Sequence, residues 1–400
     1  MFSRRDFIRN AGLIAAALPL ASKTTQAAPP NIDTRPSTGQ PPAEHTDAPE
    51  SAGVQRLSLA KLKAWEALRY GMFLHFGMTT FNGKELENND SPLSTYNPTK
   101  LDVDQWVSVA RDAGMKYAVL TTKHTAGHCL WHTKQTDYHV GNGPVKTDVV
   151  EAFVKSCEKR GVLPGFYYCS WDNHTKLGSM TIADVTALPQ NQQVNGQAFT
   201  TRAYQDFQLR QMEELLTQYG KIGEVWIDIP SVLPSDFRAV LYREMTQWQP
   251  DTVVIMNGGG ALPIFPVNAS WPTDATTLER AFPNSRLGYH PMRKIENKPY
   301  YLPAETCDTM CKDWFYVPGQ HPRSDAELFG MYAVTRGRGA NFLLDVAPDT
   351  TGVIPNESVQ ALVRLAKNID RFGAEGFHNA NSDRAPVGPE NTNLDNTNKT

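Results

Sequence analysis

Six short runs along the chain are almost wholly apolar and rich in β-branched and aromatic residues: GMFLHFG (71–77), KYAVLTTKH (116–124), LPGFYYCSW (163–171), EVWIDIP (224–230), TVVIMNG (252–258) and ANFLLDVAP (340–348). Their length and lack of polar alternation predict strands buried on both faces. Between them, apolar residues recur at three- and four-residue spacing over 101–114, 146–161, 203–220 and 235–250. That spacing predicts helices with one apolar stripe, and the first three stretches end in Gly, the usual helix stop. Strand followed by helix, repeated, predicts a parallel sheet covered by helices. No G-x-G-x-x-G turn follows the first strand, and polar residues recur where the strands end: His75, Lys123 with His124, Ser170 with Asp172, Asp228 and Asn257. Both features favour a closed barrel over an open sheet. The predicted fold is α/β, a (β/α)8-like barrel of the TIM type over residues 56–372, whose strand ends converge on one mouth.

The pattern fades at both ends. Residues 1–27 carry Arg4 and Arg5, an apolar stretch from Ala11 to Ala21 and a small-residue end at Ala27, which predicts a cleaved export signal. The apolar stretch falls short of the roughly 20 residues that span a bilayer, so no stable membrane insertion is expected after cleavage. Ser3-Arg4-Arg5-Asp6-Phe7-Ile8 resembles the bacterial twin-arginine motif, implying a periplasmic or secreted protein. Residues 28–55 are rich in Pro, Thr and Ala and read as a linker, and 373–400 are Asn- and Thr-rich without periodicity and read as a flexible tail.

A formal charge of −3, with no basic stripe, argues against nucleic acid as a partner. Five cysteines, Cys129, Cys157, Cys169, Cys307 and Cys311, are few and odd in number, so no disulfide framework is expected. Pairing or metal binding by Cys307 and Cys311 competes with plain packing, which is the simpler expectation.

Asp228 changes the picture more than composition does. An acidic residue ending an apolar strand costs several kcal/mol to bury unless paired or hydrogen-bonded. It is either a salt-bridge partner or a nucleophile or base at the barrel mouth. Hydrolysis of a glycosidic bond needs a second carboxyl group, for which Asp274, Glu279, Glu305 and Asp308 are downstream candidates. His75 and His124 also follow apolar strands, and aromatic residues crowd the same ends, as in pockets that stack sugar rings. KHTAGH places His124 and His128 near each other without the H-E-x-x-H pattern, so no metal is expected. Nucleotide and serine-hydrolase signatures are absent.

Taken together, RYGMFLHFGMTTF, KYAVLTTKHTAGHCLW, PGFYYCSWD, EVWIDIP, TDATTLER, AETCDTMCKDWFY and RGRGANFLLDVAPDTTGVIP resemble segments of the α-L-fucosidases of glycoside hydrolase family 29, from about Trp65 to Ile369. The resemblance implies a retaining enzyme that removes terminal α-L-fucose from a fucosylated oligosaccharide or glycoconjugate without a cofactor. It implies Asp228 as nucleophile and Glu279 as acid/base, with Asp274 and Glu305 as rivals for the second role. It further implies sugar contacts from His75, His124, Tyr168, Trp226, Glu305 and Trp314. The chain departs where many members carry His-Asp-Gly-Phe: here stand Thr125, Ala126, Gly127 and His128, as in a plant and bacterial subgroup. Members often carry a C-terminal β-sandwich, and the sequence ends near where it would begin, so that domain is expected to be absent or truncated. Two other readings remain open from the residues: a fucose-binding barrel without catalysis, and a metal-dependent hydrolase using His75, His124 and Asp228.

Overall fold

The computed structural model describes residues 53–83, 85, 91–175, 200–258, 270–284 and 290–373. The expected export signal, the linker up to residue 52 and the tail from residue 374 lie outside them. Eight strands form one parallel sheet: β1 (Tyr70–Leu74), β2 (Tyr117–Lys123), β3 (Leu163–Cys169), β4 (Glu224–Asp228), β5 (Val253–Asn257), β6 (Thr276–Glu279), β9 (Ala304–Thr309) and β10 (Asn341–Asp345). A separate antiparallel hairpin, β7 (Met292–Ile295) and β8 (Lys298–Tyr301), lies between β6 and β9 in sequence. The sheet order β5-β4-β3-β2-β1-β10-β9-β6 puts β5 and β6, consecutive in sequence, at its two edges. The sheet curls until those edges meet, giving a nearly closed (β/α)8-type barrel, as the alternation of strands and helices predicts.

At the β5–β6 seam the regular ladder gives way to a mixed stitch. Asp274 N–H donates to the Val254 carbonyl (2.7 Å), Val254 N–H to Asp274 Oδ2 (2.9 Å), and Met256 N–H to Thr273 Oγ1 (3.1 Å). Side-chain oxygens thus occupy places that a neighbouring strand's carbonyls would fill.

Among the described residues eight helices accompany the strands: α1 (Leu59–Glu66), α2 (Met78–Asn82), α3 (Val103–Asp112), α4 (Val149–Arg160), α5 (Arg202–Gln218), α6 (Ser235–Trp248), α7 (Asp325–Gly337) and α8 (Asn356–Phe372). Asp102, Asp148, Thr201 and Ser324 each accept the third amide of the helix they precede. Each cap satisfies an N–H that the helix itself cannot. α4 stops at Gly161, whose φ of 67° suits glycine at a C-terminal cap.

Inside the barrel, side chains two apart on each strand build layers. The lowest is closed by α1, where Trp65 Nε1 donates to Glu224 Oε2 (2.8 Å) and Asn341 Nδ2 to the Trp65 carbonyl (2.9 Å). Above it the Tyr117 ring lies over Gly71, where a Cβ would come within 2.5 Å of the ring. Only glycine leaves room for it. The interior is therefore filled, and the uppermost layer rests on a solid floor. All five cysteines are free thiols, four of them buried. Among the described residues no helix is long and apolar enough to cross a membrane.

Candidate active site

Asp228 is the last residue of β4, and the two-residue period of the strand turns it inward above Trp226. It is only 2% exposed, so its charge must be held by donors. The neighbouring strands supply them. Tyr167 of β3 donates its hydroxyl to Asp228 Oδ2 (2.6 Å), and Asn257, the last residue of β5, donates Nδ2–H to Asp228 Oδ1 (2.8 Å). The same Asn257 nitrogen donates to Glu279 Oε2 (3.1 Å) at the end of β6. One amide nitrogen carries two hydrogens and can serve both, so the two carboxylate oxygens lie no more than about 6 Å apart. Carboxyl groups held this close can act on one sugar bond, one attacking the carbon while the other protonates the leaving oxygen.

His75 and His124 stand across the mouth. Asp345, ending β10, accepts from His75 Nδ1 (2.7 Å), which fixes the ring's orientation and the position of its proton. His124 stacks on Tyr167 (centroids 5.5 Å, 13°), and its Nδ1 lies 3.1 Å from Thr125 Oγ1. Trp314 and Phe315 form an aromatic wall at 5.0 and 5.3 Å from the His75 ring. Behind Trp314 lies the Arg280 guanidinium, 5.2 Å from its centroid, with Nη2 bonded to the Lys312 carbonyl (2.9 Å). Arg280 has φ 51°, so the backbone turns sharply just after Glu279. Such a conformation costs a non-glycine residue about 1–2 kcal/mol.

Some expected positions differ from those found. Tyr168 faces the opposite side of β3, where its hydroxyl donates to Gln211 on α5 (2.7 Å); the tyrosine that meets Asp228 is Tyr167. Trp226 and Glu305 belong to the layer below the mouth. Trp226 Nε1 donates to Glu305 Oε1 (3.2 Å) and Tyr117 donates to Oε2 (2.7 Å), so Glu305 serves the floor and not the layer that holds Asp228 and Glu279. Burial pushes its carboxyl up to about 7. Asp274 lies at the seam, where Arg56, Tyr242 and the Val254 amide occupy its carboxylate. Lys123 and Asp172 pair with each other at 2.7 Å on the helix side of the sheet, fully buried beneath Tyr168. Among the described residues no group of three or more His, Cys, Asp or Glu is placed to hold a metal ion.

The alpha-L-fucosidase family model matches residues 86–374. The chain belongs to that family. Among members with similar sequences is alpha-L-fucosidase 1 of Arabidopsis thaliana, 28% identical over 371 residues, covering 86% of this chain and 68% of the plant protein. An alpha-L-fucosidase of Dictyostelium discoideum is 26% identical over 284 residues, covering 68% of this chain and 55% of that protein. Of the solved structures, alpha-L-fucosidase isoenzyme 1 from Paenibacillus thiaminolyticus superposes with a TM-score of 0.63 at 26% identity, over 78% of this chain and 75% of its own.

For this fucosidase-family chain, three residues of the mouth escape a reading of its motifs. Tyr167 and Tyr168 are adjacent in a strand without alternation of polar and apolar residues to mark its inward face, and Phe315 sits among aromatic neighbours that look alike. Asp345 lies in a segment that looks like barrel framework alone. Its position as the last residue of a buried strand, shared with Asp228, was the available signal.

Proposed function

We propose that the protein is a retaining α-L-fucosidase acting on terminal α-L-fucose of glycans. The observation that carries this reading is the pair Asp228 and Glu279, bridged by Asn257 at the strand ends of a family barrel. In the first step an oxygen of Asp228 bonds to the anomeric carbon as the bond to the aglycone oxygen breaks, and Glu279 gives that oxygen its proton. In the second, water attacks the same carbon, the ester to Asp228 breaks, and Glu279 takes a proton from the water. Each step inverts the centre, so configuration is retained overall. His75, His124 and Trp314 are assigned to the fucose ring, and the rim above Glu279 to the aglycone.

The test is release of 4-nitrophenol from 4-nitrophenyl α-L-fucoside, with the product anomer followed by NMR. Asp228→Gly abolishes turnover, and azide restores it as β-fucosyl azide; Glu279→Ala with azide yields the α-azide. A wild-type chain that binds fucose and turns over no fucoside sinks the reading in favour of a binding protein. Export belongs to the same proposal. Arg4 and Arg5 open a twin-arginine-type signal over 1–27, placing the enzyme in the periplasm or outside the cell. Replacing both by Lys retains the protein in the cytoplasm if the motif is read, and changes nothing if it is not.

A further inference from the structure

Barrel strands normally hold each other in register through backbone ladders, so groups at their ends stand at distances fixed by the main chain. The two carboxylates of this site do not share that arrangement. Asp228 ends β4, which is laddered to β5, while Glu279 ends β6, which among the described residues is laddered only to β9. Between β5 and β6 runs the seam, and the path from one carboxylate to the other crosses it. At the level of the mouth the crossing is made by side chains. Asn257 Nδ2 donates to both carboxylates, and Thr277, two residues before Glu279 on the same inward face, donates its hydroxyl to Asn257 Oδ1 (2.8 Å).

The last bond decides which way the amide faces. A Thr hydroxyl that donates to Oδ1 holds the oxygen toward β6 and turns the NH2 group toward the carboxylates. With the amide reversed, its oxygen would meet two acidic groups and the bridge would be lost. Asn257 is 1% exposed and Glu279 6%, so solvent does little to replace these bonds.

We propose that Asn257, oriented by Thr277, is a positioning residue that clips the acid/base strand to the nucleophile strand and sets the carboxyl spacing of the reaction. The inference rests on the retaining reading. The Asn257 Nδ2 group serves both carboxylates, so its loss is felt in the bond-breaking step, and felt most where the leaving oxygen needs a well-placed proton. 4-Nitrophenolate departs with little help; methoxide does not depart without it.

The experiment compares kcat and KM of the full chain on 4-nitrophenyl and methyl α-L-fucosides, with thermal unfolding recorded for each variant. Asn257→Ala and the isosteric Asn257→Asp, which loses the two donors, each lower kcat on the order of 10²-fold on the aryl substrate with KM within about threefold, since a misplacement near 1 Å costs about that much. The loss on the methyl substrate is at least about tenfold larger. Thr277→Val shows the same pattern more weakly, and Thr277→Ser recovers it. Equal losses on both substrates, accompanied by a lower melting temperature, make Asn257 a packing residue and overturn the proposal; so do variants with wild-type kcat. A wild-type chain that cleaves neither fucoside overturns the reaction reading and the clip together, whereas wild-type cleavage with substrate-independent losses overturns the clip alone.

Discussion

A carboxylate on the inner face of a strand is stable only among donors, and the two oxygens of Asp228 are served by different residues, Tyr167 and Asn257. A hydrogen bond to a charged group contributes about 1.5–3 kcal/mol, so Tyr167→Phe is expected to lower kcat on 4-nitrophenyl α-L-fucoside roughly 10–100-fold. Its aromatic stack with Trp226 and His124 remains, and the melting temperature should change little. Tyr168→Phe is the contrast. It loses the bond to Gln211 in the helix layer, costing about 1 kcal/mol of stability with kcat/KM within about twofold. Equal effects of the two substitutions on turnover would contradict the facing of β3. Asp345 acts through His75: Asp345→Ala leaves a buried imidazole without its orienting carboxylate, and kcat/KM should fall about 10–100-fold. Asp345→Asn keeps an acceptor for Nδ1–H and should fall less, which steady-state kinetics of the pair would reveal.

At the level of elements, the seam between β5 and β6 is the place where the barrel depends on side chains. Asp274 accepts from Val254 N–H, Tyr242 and Arg56, and Arg56 also grips the Pro250 and Thr252 carbonyls, tying the chain before α1 to the start of β5. Asp274→Ala strands a half-buried guanidinium and an amide, and should cost about 3 kcal/mol in urea unfolding. A loss below about 1 kcal/mol would mean that the seam is held elsewhere. Legibility of the fold follows the same division. β1 to β5 and β10 are continuous apolar runs and could be read as strands from their composition alone. β6 (TTLE) and β9 (AETCDT) could not, because their inward residues, Thr277, Glu279 and Glu305, are polar members of the seam, the mouth and the floor. Asp228 and His75 were legible as costly residues ending apolar strands. The facing of Tyr167 and Tyr168 was not, since a strand buried on both sides carries no alternation. Lys123 misleads for a further reason: the register shifts between Thr121 and Lys123, turning the lysine to the helix side.

Over the whole molecule, buried groups away from the reacting carboxylates set the response to acid. His128 lies between Tyr96 and Tyr138 (4.9 and 5.4 Å), 3% exposed, with no hydrogen-bond partner at either ring nitrogen among the described residues. Burial, helped by the nearby His139 and His174, pushes its pKa down to about 3. In the unfolded chain it titrates near 6.5, so the unfolded state binds the extra proton first and stability falls as pH drops through that window. Between pH 6.5 and 4 the loss is about 3 kcal/mol. Glu305 works in the opposite direction. Its folded pKa of about 7 lies above the unfolded value near 4.5, so its contribution is full below pH 4.5 and is lost as pH rises toward 7. Glu224, raised by burial and by the charge of Glu305, adds to that slope. The two effects oppose each other from about pH 4.5 to 6.5, and each substitution should expose the other. His128→Phe is expected to become more stable as pH falls through that window, by about 3 kcal/mol relative to wild type at pH 4. Glu305→Gln should lose stability relative to wild type over the same range. Urea midpoints measured from pH 4 to 8 decide the matter: deviations from the wild-type curve of opposite sign in the two variants are required, and curves parallel to wild type would show that neither group titrates with folding.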